Sequence, residues 1–237
     1  MDDLVVLGNA APDEIHDGRK TVCTVCYSDE HGLVRIYHVP PGAPMKRWNI
    51  VSVPLVRTTR DTRQESWKIQ GSRDEWPRLT DKIRLVGQVP QVKRRSLTHM
   101  MYEKFGVGCV QNLNKDLLSL GMVKPIVFGE WMKDRENTDD TIQSTLDSDI
   151  LFQTIRNYKK QPRVKYVCQE CTTTNGHDQQ IIEWGLYEFM RKNPEQPEGC
   201  LDGLHLMDRD YEKHFLVGNL AKHRNSFVVV SVFRFKR

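Results

Sequence analysis

No apolar run in this sequence approaches the roughly 18 to 20 residues that a bilayer-spanning helix needs, so no membrane partner is expected. The acidic opening Met1-Asp2-Asp3-Leu4-Val5-Val6 lacks the basic start and small-residue cleavage site of a secretory signal, and a cytoplasmic location is the expectation. There is no Gly-x-Ser-x-Gly elbow and no phosphate-binding glycine loop, which leaves serine-hydrolase and phosphate-loop chemistry without support. Internal repeats and low-complexity tracts are missing as well.

What is present describes an ordinary globular chain. Its 237 residues, 38% hydrophobic and 28% charged, allow one large core or two small ones. The six cysteines are Cys23, Cys26, Cys109, Cys168, Cys171 and Cys200. Without a secretory signal they do not read as a disulfide framework, and two Cys-x2-Cys pairs raise metal or redox chemistry instead.

Short β-branched segments dominate the first part. A strand at Leu4 to Leu7 precedes a hairpin in which Thr21 to Cys26 pairs with Leu33 to Val39 across the turn Ser28 to Gly32. Trp48 to Arg57 reads as a further strand, with Pro54 marking an edge or bulge, and Lys82 to Gly87 as another. A curled sheet or small barrel over residues 1–90 follows. Residues 91–133 read as a helical region, with one helix capped by Ser96 and a second from Asn112 to Leu120 ending at Gly121, before a return to strand at Pro125 to Phe128. Residues 134–149 are acidic and polar and read as a flexible connection. In 150–237, Arg163 to Cys168 is a strand leading into the first turn of interest. A helix after His177 carries the stripe Ile182, Leu186, Phe189 and Met190, and Phe227 to Phe233, apolar on both faces, is a central strand. The fold class expected is α+β: an N-terminal β-rich, barrel-like half and a C-terminal α+β half built around a zinc knuckle.

That knuckle is Cys168-x2-Cys171-x5-His177. Two thiolates separated by two residues face the same way, and a histidine just beyond can add a third ligand to zinc. A fourth ligand is available from Cys200, His205, His214, His223 or the remote pair Cys23 and Cys26; the expected metal set is Cys168, Cys171, His177 and His214. Buried reduced cysteines or an iron–sulfur cluster are the alternatives. A catalytic version would place His177, Asp178, His214 and His223, perhaps with Glu183, around a metal with an open position for water. Cys109, between Gly108 and Val110, has no flanking base and gives no nucleophile reading.

Charge is unevenly distributed. From Arg57 to Arg95 there are eleven Lys/Arg against five Asp/Glu, a surplus of +6 in a chain of net +4. Arg57, Arg60, Arg63, Lys68, Lys93, Arg94 and Arg95 are candidates for phosphate contacts, and Trp67 for stacking on an unpaired base. The same charges also read as a solvated basic face.

Taken in order, Thr21-Val22-Cys23, Leu33-Val34-Arg35-Ile36-Tyr37-His38-Val39-Pro40, Arg63-Gln64-Glu65-Ser66, Ser119-Leu120-Gly121 with Lys124-Pro125, Gly176-His177-Asp178-Gln179-Gln180-Ile181-Ile182-Glu183-Trp184 and His214-Phe215-Leu216-Val217-Gly218 resemble a family of uncharacterised prokaryotic proteins of mobile or defence-associated type. The resemblance covers nearly the whole chain. It implies a Cys…Cys…Gly-His knuckle at Cys168, Cys171 and His177, and no usual second cysteine at Cys26, which favours His177 as a ligand. Leu33 stands where the family commonly has an aromatic residue, and Trp184-Gly185 where it has Trp-Glu. The functional expectation is a nucleic-acid-binding accessory protein with a structural zinc, set against a metal-dependent hydrolase or a scaffold subunit of a larger protein complex.

Overall fold

The computed structural model describes residues 2–15, 17–59, 61–135, 154–171, 173–221 and 223–237. Most of the expected acidic connection at 134–149 lies outside them. The protein is mostly β, with a curled sheet and a few short helices.

The curled sheet uses β1 (Asp2–Asn9), β2 (Asp13–Glu14), β3 (Lys20–Ser28), β4 (Gly32–Val39), β5 (Asn49–Val53), β6 (Leu55–Arg57), β7 (Ser66–Ile69) and β8 (Arg84–Gln88). Its order is β6-β7-β4-β3-β1-β5-β8, with β2 on β3. The β3–β4 hairpin forms where alternation placed it, with Gly32 taking the positive φ that its turn requires. Register shifts at Val6/Gly8, Val22/Thr24 and Ile50/Val51 insert extra residues and increase the local twist, which curls the sheet around Leu4, Val34, Ile36 and Val53. Pro54 does more than mark a bulge. Lacking an N–H, it separates β5, paired with β1 and β8, from β6, paired with β7.

Next come α1 (Gln91–Phe105) and α2 (Val110–Lys115), then β9 (Leu120–Val123) and β10 (Ile126–Asp134). Two expectations need correction here. Pro90, not Ser96, precedes the first helical residue, and the Ser96 hydroxyl donates back to the Lys93 carbonyl at 3.0 Å. The second helix stops at Lys115, and Gly121 lies inside β9, where it pairs with Val217.

The rest comprises β11 (Lys160–Val167), β12 (His177–Gln180), α3 (Trp184–Lys192), β13 (Tyr211–Asn219) and β14 (Phe227–Lys236). They form two further sheets, β10-β11-β12 and β14-β13-β9. His177 therefore starts a strand, not the helix that was expected, because its backbone pairs with Tyr166 of β11. The helix begins seven residues later and buries Leu186 and Met190, while Phe189 stays 38% exposed. Instead of lying inside its sheet, β14 sits at one end of the order. Its outer edge is nevertheless closed, since Ile182 N–H donates to the Val229 carbonyl at 2.8 Å, and its side chains from Phe227 to Phe233 are buried.

The core crosses residue 90 without interruption. Leu7, Tyr27 and Leu33 pack with Met122, Leu216 and Phe233 in one cluster. Polar groups sew the same seam. The buried Arg35 guanidinium donates to the carbonyls of Asn219 (3.0 Å) and Ser119 (2.8 Å). The Glu65 carboxylate accepts from Ser119 N (2.8 Å), Ser119 Oγ (2.7 Å) and Leu120 N (3.2 Å). A buried guanidinium and a half-buried carboxylate bonded to main-chain groups across the seam are costly to break from one side. Arg35→Met should lower stability by about 2–3 kcal/mol, and the parent should unfold in one thermal transition. Two resolved transitions, or an unchanged midpoint in the variant, would contradict the seam.

Candidate metal centre

At the end of β11 the chain turns through Cys168 to Cys171, closed by a bond from Cys171 N–H to the Cys168 carbonyl at 3.3 Å, and returns along β12 from His177. Gly176, with φ +64, makes the return possible: a Cβ there would lie 2.6 Å from the Tyr166 carbonyl oxygen. A second segment meets this turn. Val107 N–H bonds the Met122 carbonyl and Glu170 N–H bonds the Gly108 carbonyl, both at 2.9 Å. Gly108 passes so close that a Cβ would sit 2.1 Å from a Glu170 carboxylate oxygen. The next residue is Cys109.

Cys109, Cys168 and His177 are thereby positioned to hold a metal ion, their ligand atoms all within 4.8 Å of one another. His177 Nε2 lies 3.4 Å from the Cys109 sulfur and 3.2 Å from the Cys171 sulfur. An imidazole nitrogen has one in-plane lone pair, so two thiols cannot both donate to it well. Ligands of a tetrahedral ion with Zn–S near 2.3 Å and Zn–N near 2.0 Å stand about 3.5 Å apart, which matches both contacts.

Cys109 and Cys168 are buried, Cys171 and His177 half-buried. Burial pushes the Cys168 thiol up to about 12, against a hydrogen bond from the Val110 backbone that favours the thiolate. Burial acts the same way on Cys171, but hydrogen bonds from the Thr173 side chain, the backbones of Cys168 and Thr173, and Cys109 outweigh it and its pKa falls. Desolvation lowers His177, which keeps its imidazole neutral as a ligand requires.

The sequence reading found Cys168, Cys171 and His177 but passed over Cys109. It lies roughly sixty residues upstream with no local motif, and its only mark was the flanking Gly108. His214 belongs to a different cluster. With His99 it surrounds Glu212, whose carboxylate is 3.0 Å from His99 Nε2, 3.1 Å from Arg95 and 3.4 Å from Lys124. Two cationic side chains on that carboxylate make the cluster an ion-pair hub joining α1 to β13 rather than a cation site. Burial raises Glu212, but His99, His214 and Lys124 outweigh this and hold it at about 2.

The expected catalytic set is not assembled. His223 is exposed in the turn before β14, Asp178 is ion-paired to Arg163 at 2.7 Å, and Glu183 accepts from Arg47 (3.0 Å) and Val232 N (2.9 Å). Nor does the basic segment present one open surface. Arg63 is buried, paired to Asp61 at 2.5 Å and bonded to the Asn219 carbonyl at 2.9 Å. Arg94 bonds the Val89 carbonyl and Arg95 pairs with Glu212. Arg57 stacks 3.9 Å over Trp67, whose ring also stacks on His31, so this tryptophan is already engaged. Lys68 and Lys93 are exposed; Arg60 lies outside the described residues.

Burial lowers His214 from its ordinary 6.5 to about 4, with Glu212 pulling it up and His99 and Lys124 pushing it down. Between those values the unfolded chain binds a proton that the folded chain refuses. Its contribution to stability is complete above 6.5 and is lost as the pH falls toward about 4. His214→Phe should therefore flatten the fall in unfolding temperature between about pH 7 and about pH 5; an unchanged slope would contradict this.

Among the described residues no helix is long and apolar enough to cross a membrane. No curated protein matches the chain. Residues 1–99 match one domain of unknown function, DUF8758. Residues 109–237, more than half of the chain and including all four donors of the Cys/His centre, match a second, and the chain belongs to that family, the domain of unknown function DUF8757.

Proposed function

We propose that this protein is a nucleic-acid-binding accessory protein whose second half is held by a structural zinc ion. The carrying observation is the meeting of Cys109, Cys168 and His177, whose ligand atoms lie within 4.8 Å of one another, with the Cys171 sulfur 3.2 Å from the same His177 nitrogen as a fourth donor. Three soft sulfurs and one nitrogen suit zinc, and four protein ligands fill its tetrahedron, leaving no position for a reacting water. A hydrolytic zinc needs that position, so the centre supports a structural role.

Nucleic acid as the partner draws on the basic surplus between Arg57 and Arg95, of which Arg57, Lys68, Arg78, Arg84, Lys93 and Arg95 are exposed. The setting in a prokaryotic defence or mobile-element system rests on the resemblance of the motifs from Thr21-Val22-Cys23 to His214-Phe215-Leu216-Val217-Gly218.

Metal analysis of the purified protein should find about one zinc per chain. Cys109→Ser should lower that content and reduce the unfolding temperature, and a strong chelator should do the same to the parent. His214→Ala should keep its zinc. A metal-free parent, or a Cys109→Ser variant with full zinc content, would overturn the assignment.

A further inference from the structure

The outer face of β10 and β11 is built differently from the rest of the surface. Phe128 is 49% exposed and Trp131 37% exposed, although large aromatic side chains are normally covered. They stand three residues apart on one extended strand, about 10 Å, and the register shift between Val127 and Gly129 turns both side chains outward.

Positive charge surrounds them. Lys165 Nζ lies 5.6 Å and the Arg163 guanidinium carbon 5.8 Å from the centre of the Trp131 ring, with Lys133 next along β10. The acid on the neighbouring strand, Asp178, is already bound by Arg163. At the other end Phe128 lines an open groove of about 600 Å³ whose margin carries Arg209, Lys213 and Arg237, with Lys124 there held by Glu212. The Phe128 ring also abuts Gly176, since a Cβ on that glycine would come within 3.1 Å of it. The metal-bearing loop is thus one wall of this surface.

We infer that this face binds single-stranded nucleic acid, with Phe128 and Trp131 stacking on unpaired bases and Lys133 and Lys165 meeting the phosphates. Separated aromatic platforms bordered by cations suit an unpaired strand, whose bases offer a π-face and whose backbone is anionic. A duplex, its bases already stacked, would use the charges and leave the rings idle. The inference rests on the nucleic-acid-binding reading above and moves its site away from the segment at 57–95.

The test is fluorescence anisotropy at low salt, using the full chain, a labelled oligothymidylate and a labelled duplex of equal length. Trp131→Ala with Phe128→Ala should weaken oligothymidylate binding at least about tenfold, on the basis of about 1–3 kcal/mol per stacked base. Lys165→Glu should weaken it and flatten its salt dependence. Lys68→Ala with Lys93→Ala should change it less than about twofold. Unchanged zinc content and unfolding temperature in each variant would show that the fold survives. A parent that binds either probe, with the aromatic pair irrelevant, overturns this face as the site and leaves the nucleic-acid reading standing. A parent that binds neither overturns both. A parent dimer that Trp131→Ala converts to monomer identifies the face as a contact between copies and overturns the inference.

Discussion

A single imidazole nitrogen shared by two sulfurs, with a third sulfur alongside, is the constraint on which the second half of the molecule depends. Hydrogen bonding alone satisfies it poorly, because one lone pair cannot serve two thiols. A metal ion would resolve the conflict by taking electron density from Cys109, Cys168, Cys171 and His177. It would also join segments roughly sixty residues apart, and a clip across a long loop removes more chain entropy than a local one. The metal would fasten the segment leading into α2 to the ends of β11 and β12, and through them the sheet whose outer face carries Phe128 and Trp131.

The halves on either side of α1 match two different family descriptions, yet they are not two bodies in this chain. Their apolar side chains share a cluster, and Arg35, Arg63 and Glu65 of the first half reach main-chain groups of the second. This seam accounts for part of the basic surplus. Arg63 repeats at the spacing of a phosphate-binding face, but its charge is consumed by Asp61 and a carbonyl inside the protein. Charge counted along a sequence says nothing of which side chains turn inward.

What could be read without coordinates was what neighbouring residues decide among themselves. The β3–β4 hairpin follows from β-branched alternation around a glycine turn, and the break at Pro54 from a missing donor. The Cys168–Cys171 turn and His177 likewise lie within ten residues of one another. Decisions taken at long range were illegible. His177 is in a strand because Tyr166 pairs with it, the outer edge of β14 is closed because Ile181 bridges Val229, and Leu120, the last residue of the expected helix, opens β9 because β13 supplies its partner. Cys109 falls in the same category. No local pattern distinguishes it, and only the close passage of Gly108 beneath Glu170 brings its sulfur to the centre.

The most direct measurement is X-ray absorption at the zinc edge of the protein as purified. Three sulfurs at about 2.3 Å and one nitrogen at about 2.0 Å, with no lighter ligand besides, is the first shell expected. A shell of two sulfurs with two nitrogens or oxygens would contradict the account, because it would return either Cys109 or Cys171 to the role of bystander.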